Sequence, residues 1–458
     1  MKLRFMIAAV AALTELTEAG VLSLPITRTS IGLFFNDFQS AGHAQSQLHS
    51  TLNHVANFRS PQESQWTWLK KDQSIFWDWV RTEPSAQARI LDDDDDDLEA
   101  MYWSIYTTPL SIGNPALNLD AIVDTSWSVL FIPSVNCTYD AHEVSSCAIH
   151  PLYNSSYSTT YQPNSTPTNV HYKGPAGLLT WGSISQDSLH VGDLEVKEQL
   201  FEEAVAWHGD VGTYDAVFDT VLGLSLFPTL DGYRNTNFTT VSPFQNMMKQ
   251  TLLDENVFTL QYPRTDQERG SITFGGLPPG LQRDEMIEVP LNNNETNDSD
   301  HIWRYYTMNG WQVSMDSMSM TSNVSENSTA VLDAPQIAIV SSSFPWIGLP
   351  DDAAEKIHKA IGLKHAFDWL DCEKRADLPN WTVTFGSDPA LEITLTPWDY
   401  LIEMYDQYHQ QLKCVSPFYN LSEYGDKGFV ILGASFLNGL YTVFDADRKS
   451  ISFKNRPL

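Results

Sequence analysis

From about residue 100 onward, apolar residues come in short runs, continuous or alternating with polar ones, separated by Gly, Pro, Asn and Ser. Ala121-Ile122-Val123, Val129-Leu130-Phe131-Ile132 and Gly428-Phe429-Val430-Ile431-Leu432 are continuous, whereas Gly270-Ser271-Ile272-Thr273-Phe274 alternates. Runs this short, bounded by turn residues, predict strands, and the continuous ones predict strands covered on both faces. Helical periodicity is rare. Its clearest instance is Pro350 to Gly362, which opens on Pro-Asp-Asp and closes on glycine, the chemistry of a helix start and stop. The expected fold class is mostly β.

The strand pattern repeats. Ala121-Ile122-Val123-Asp124 recurs as Ala330-Val331-Leu332-Asp333, and downstream of each stands an apolar run ending in glycine, Val221-Leu222-Gly223 and Ile431-Leu432-Gly433. The aspartate-to-glycine separations are 99 and 100 residues. Matched features at matched spacing predict two homologous β-rich lobes, residues 96–280 and 281–458, each presenting one carboxylate. Two carboxylates brought close together cannot both ionise, so they share a proton. One can then act as general base and the other as general acid.

The N-terminal region has a different texture. Lys2 and Arg4 precede an apolar stretch from Phe5 to Leu13, followed by small and polar residues to Gly20, which reads as a secretory signal over residues 1–20. Residues 21–91 hold six basic and five acidic side chains. A run of six aspartates, Asp92 to Asp97, then repels itself and reads as a solvated linker. Residues 21–95 are thus expected to be a separately cut pro-region with its linker. No later segment approaches the roughly 20 apolar residues that spanning a bilayer needs.

Charge and cysteines narrow the setting. The chain has 27 Lys plus Arg against 57 Asp plus Glu, a formal net charge of −30. That balance excludes nucleic acid and anionic membrane as expected partners, and acid would relieve its self-repulsion. Ten Asn-x-Ser/Thr sequons, at Asn136, Asn154, Asn164, Asn237, Asn294, Asn297, Asn323, Asn327, Asn380 and Asn420, fit a secreted glycoprotein. Extracellular space or an acidic compartment of the secretory pathway is the expected location. Cys137, Cys147, Cys372 and Cys414 allow three disulfide pairings, of which Cys137–Cys147 with Cys372–Cys414 closes the short loops. His142 and His150 flank the first pair, but no CxxC or HxxxH spacing marks a metal site. No metal or other cofactor is expected.

At this point the residues resemble a family, the pepsin-like aspartic peptidases. Ile122-Val123-Asp124-Thr125-Ser126-Trp127-Ser128-Val129-Leu130-Phe131-Ile132-Pro133-Ser134 resembles that family's first-lobe pattern, apolar-apolar-Asp-Thr-Gly-Ser-Ser-x-x-Trp-Val-Pro-Ser. The likeness continues through Tyr153 to Tyr161, Gly270 to Gly276, the Asp333 region and Ile431 to Leu437, covering roughly residues 100–455. It implies a bilobal fold with an inter-lobe cleft for a peptide or protein substrate, one disulfide loop per lobe, and a monomer. It also implies that Asp124 and Asp333 are the catalytic pair, that Thr125 and Ser126 border the substrate, and that Tyr172 is the flap tyrosine.

The active-site loops depart from the family pattern. Asp-Thr-Gly-Ser/Thr has become Asp124-Thr125-Ser126-Trp127 and, around the second aspartate, Asp333-Ala334-Pro335-Gln336. Trp127 brings no hydroxyl, Pro335 has no N–H to donate, and Ala334 cannot brace the lobes as Thr125 can. Phe131 stands where the family has a Trp whose N–H partners the flap tyrosine. The expected function is a secreted, acid-acting aspartic endopeptidase made as a zymogen and weakened chiefly at its second loop. The alternative is a catalytically silent relative that binds peptide or protein in the same cleft.

Overall fold

The computed structural model describes residues 20–34, 100–137, 150–172, 178–209, 218–227, 241–292, 306, 310–322, 327–332, 334–386, 391–406, 411–421 and 428–457. Strands dominate, as the short apolar runs predict. The first ten in chain order are β1 (Leu22–Phe34), β2 (Ala100–Ile112), β3 (Leu117–Asp124), β4 (Phe131–Pro133), β5 (Gln162–Tyr172), β6 (Leu178–Val191), β7 (Leu194–Gly209), β8 (Thr220–Gly223), β9 (Val257–Gln261) and β10 (Gly270–Phe274). They belong to one 13-stranded sheet, which Leu440–Asp445 and Ser450–Asn455 also join from the end of the chain. Leu440–Asp445 pairs antiparallel with β9, Val443 opposite Thr259, so the C-terminal hairpin ties the second half of the chain to the first.

The second half builds three smaller sheets. Five strands, Gln312–Met315, Gln336–Val340, Phe429–Leu432, Ile347–Leu349 and Phe418–Asn420, form the one that reaches the lobe junction. Ser328–Leu332 lies in a separate four-stranded sheet beside Ser317–Thr321. The helix expected from Pro350 to Gly362 forms over Asp351–Ile361. Ala353, Ala354, Ile357, His358 and Ile361 recur on its buried face, and Gly362 ends it at φ 75°, a left-handed turn that favours glycine.

Cys372 and Cys414 form the expected disulfide of the C-terminal lobe. Cys137 is also disulfide-bonded, and Cys147, the one cysteine left, lies outside the described residues. Two apolar clusters fill the interior. One runs through the main sheet; the other gathers Trp127, Phe131, Tyr172 and Trp207 of the first lobe with Ile339, Phe344, Trp346 and Tyr419 of the second. The candidate site lies at this second cluster. Leu22–Phe34, expected within a removable leading segment, is a strand inside the largest sheet.

Candidate active site at the lobe junction

Asp124 ends β3. That strand pairs antiparallel with β2 and parallel with β8, and the parallel register sets Val123 beside Leu222 and Asp124 beside Gly223. The chain then folds back so closely that a Cβ on Gly223 would meet the Trp127 carbonyl oxygen at 2.5 Å. Glycine is therefore required where the returning loop crosses the strand end.

The second lobe repeats the device at another place in the sequence. Gln336–Val340 pairs parallel with Phe429–Leu432, Val340 beside Leu432, and the Ser341 N–H continues the ladder to the Leu432 carbonyl at 3.1 Å. A Cβ on Gly433 would meet the Phe344 and Trp346 carbonyl oxygens at 2.3 and 2.1 Å. Gly433 is to Ser341 what Gly223 is to Asp124. The residue in the mirrored position is a serine.

Hydrogen bonds across the junction fix the same correspondence. The Thr125 N–H donates to Ser342 Oγ at 2.9 Å, and the Ser342 N–H donates to Thr125 Oγ1 at 3.0 Å. Each hydroxyl reaches on into the opposite lobe, Ser342 Oγ to the Val123 carbonyl at 2.9 Å and Thr125 Oγ1 to the Val340 carbonyl at 3.5 Å. Ser126 Oγ meets Ser341 Oγ at 2.9 Å, and the Phe344 N–H donates to Ser341 Oγ at 3.3 Å.

These contacts correct the expected second loop. The brace partner of Thr125 is Ser342, not the position held by Ala334. Asp333 itself lies outside the described residues. Ala334 and Pro335 after it are exposed, and the strand Gln336–Val340 must run its full length before the chain reaches the junction. Among the described residues, Ser341 is the one that stands opposite Asp124 where Asp333 is expected. The sequence held a signal for this in the longer apolar run Ile337-Ala338-Ile339-Val340 before three serines, but a search for a second carboxylate passes over it.

On the first-lobe side the expected residues converge. Asp124 is fully buried; the Ser126 N–H donates to its Oδ1 at 2.7 Å and the Tyr172 hydroxyl to its Oδ2 at 2.9 Å. Tyr172 ends β5, and residues 173–177 lie outside the described residues. Trp127 packs edge-on against the Tyr172 ring at 5.3 Å between centroids, with its indole N–H donated to the Val129 carbonyl at 2.6 Å. Phe131 is 6.0 Å from the same ring and 5.4 Å from Trp207. Trp127 thus puts a large apolar side chain beside the Asp124 loop where the family pattern has a hydroxyl.

Behind this wall sits a second buried carboxyl that sequence reasoning missed. Glu202 of β7 lies beside Phe131 of β4 and accepts from the Thr180 hydroxyl through Oε1, while Oε2 has no partner. Burial pushes its pKa from 4.5 up to about 8, against a smaller downward pull from the Thr180 hydrogen bond. Tyr306 is raised above its usual range, first by burial and then by the Asp124 charge, which places it in the field of the same carboxylate.

A β-rich bilobal fold, with a buried Asp-Thr loop braced across the lobe junction and capped by a tyrosine, defines a pepsin-like aspartic-protease architecture. The chain belongs to the eukaryotic aspartyl protease family, whose model matches residues 105–456. It is 31% identical over 366 residues to vacuolar protease A of Aspergillus fumigatus, covering 78% of this chain and 79% of that one. It is 31% identical over 363 residues to cathepsin D of Gallus gallus, covering 78% and 81%, and 30% identical over 353 residues to cathepsin D of Dictyostelium discoideum, covering 76% and 82%.

Proposed function

We propose that this chain is a pepsin-like protein that binds extended peptide in its inter-lobe cleft without hydrolysing it. One observation carries the reading: Ser341 stands where the carboxylate opposite Asp124 would stand. Aspartic-protease chemistry takes a proton from water on one side and gives one to the scissile carbonyl on the other. A serine hydroxyl does not ionise in the working range and cannot share a proton with Asp124 as a second carboxyl does. Both Asp124 oxygens, moreover, already accept from Ser126 and Tyr172. The weak-peptidase reading needs a second carboxylate at the junction, and Ser341 occupies that place.

The relatives named vacuolar protease A and cathepsin D support an acidic compartment of the secretory pathway, as do the apolar N-terminal stretch and the sequons. The test is incubation with a denatured, alkylated protein at about pH 4, read by co-sedimentation and by mass spectrometry of new termini. Capture without new termini is expected. Pepstatin-sensitive new termini would overturn the reading.

A further inference from the structure

The strand β1 is seated as a ligand is seated in a site. Leu22–Ile26 pairs antiparallel with β10, and Thr27–Phe34 pairs antiparallel with β2, so β1 lies between two strands of the body and switches partner midway. Leu24 and Ile26 enter the main apolar cluster. Three glycines of the body make room for its start. A Cβ on Gly275 would meet the Gly20 carbonyl oxygen at 2.0 Å, one on Gly276 would meet Val21 Cγ2 at 2.8 Å, and one on Gly192 would meet Leu22 Cδ1 at 2.9 Å.

Arg28 anchors the middle of the strand. It is 5% exposed; its Nε donates to Ser104 Oγ at 2.9 Å and its Nη2 to the Glu403 carbonyl at 3.0 Å, and Nη1 lies 3.4 Å from Asp266. Those partners come from β2, from the C-terminal lobe and from the turn between β9 and β10. A buried guanidinium held by three separate segments is costly to withdraw, because the buried Ser104 hydroxyl would lose its partner.

The far end of the strand shows what can be cut. Phe34 lies opposite Ala100 in the β1–β2 register, so two residues separated by 65 others in the sequence are neighbours in the sheet. Among the described residues, every strand of the sheet lies outside 35–99. The aspartate run that looks like a processing linker falls within 35–99.

We propose that the gap between β10 and β2 is a strand-binding site whose permanent occupant is residues 21–34 of this chain. Cleavage within 35–99 then yields a two-chain protein rather than a body freed of its leading segment. The proposal is independent of what the cleft binds.

The full chain, cut at limiting dose by an endoproteinase specific for acidic residues, tests this. We expect denaturing mass spectrometry to show two chains and native size-exclusion chromatography to show one species carrying both. Arg28→Ala, cut in the same way, should release the N-terminal fragment at least tenfold faster. An N-terminal fragment that leaves the unmodified body with its unfolding temperature unchanged overturns the proposal. Equal release from Arg28→Ala and from the unmodified chain overturns it too. The arm with the unmodified chain decides alone where Arg28→Ala does not fold.

Discussion

Two buried titratable residues set opposite pH dependences. Glu202 is raised from 4.5 to about 8, so the folded state holds its proton more tightly than the unfolded chain does. The associated stability is complete below about 4.5 and is lost as pH rises toward 8. His358 is lowered from 6.5 to about 4, first by burial and then by His365, so stability is lost as pH falls from 6.5 toward 4. At about 1.4 kcal/mol per unit the two trends cancel between roughly pH 4.5 and 6.5, and the Glu202 loss then appears alone. Stability is expected to drop by about 2 kcal/mol between about pH 6.5 and 8. Denaturant titrations at both pH values check this, and Glu202→Gln should abolish the drop. At Trp127, change to a small residue is expected to harm rather than improve the site. Its indole is fully buried against Tyr172, and Trp127→Ser should cost on the order of 3–5 kcal/mol by leaving a cavity.

Among the elements, the strand-to-loop crossings of the two lobes are the part that makes the site. Each ends a buried strand beside a glycine, and the Thr125–Ser342 exchange locks them together. Ser342→Ala strands the Thr125 N–H in a dry junction and should lower stability by about 1–3 kcal/mol. Ser342→Thr, which restores the hydroxyl, should recover most of that loss, as read from thermal unfolding. The first crossing was legible in the sequence, since Asp124, Thr125, Ser126 and Tyr172 meet as expected. So were the glycine-ending runs at Gly223 and Gly433, the helix before Gly362 and the Cys372–Cys414 pair. The second crossing was not. An apolar triplet ending in aspartate recurs at Asp333, but only the parallel register with Phe429–Leu432 shows which strand reaches the junction. Register is a long-range property, and local spacing does not encode it. The departures at Ala334, Pro335 and Gln336 therefore bear on exposed chain and the start of a strand, not on the position opposite Asp124.

For the whole molecule, the family's architecture is retained, and the proposed departure lies in its paired chemistry. Lobes, brace and tyrosine cap persist around Asp124, the junction carboxylate among the described residues, and the strand Leu22–Phe34 is built into the sheet that joins the halves. That strand escaped sequence reading because its partner β2 follows 65 residues later, beyond a charge boundary that looks like the edge of a domain. The central claim is that Ser341 holds the place of the second catalytic carboxylate. The most direct measurement compares cleavage of a denatured substrate at about pH 3–5 by the unmodified chain, Ser341→Asp, Asp124→Asn and Asp333→Asn. Only Ser341→Asp is predicted to rise above background, and pepstatin should suppress that rise. Cleavage by the unmodified chain that Asp124→Asn and Asp333→Asn each abolish would contradict the claim.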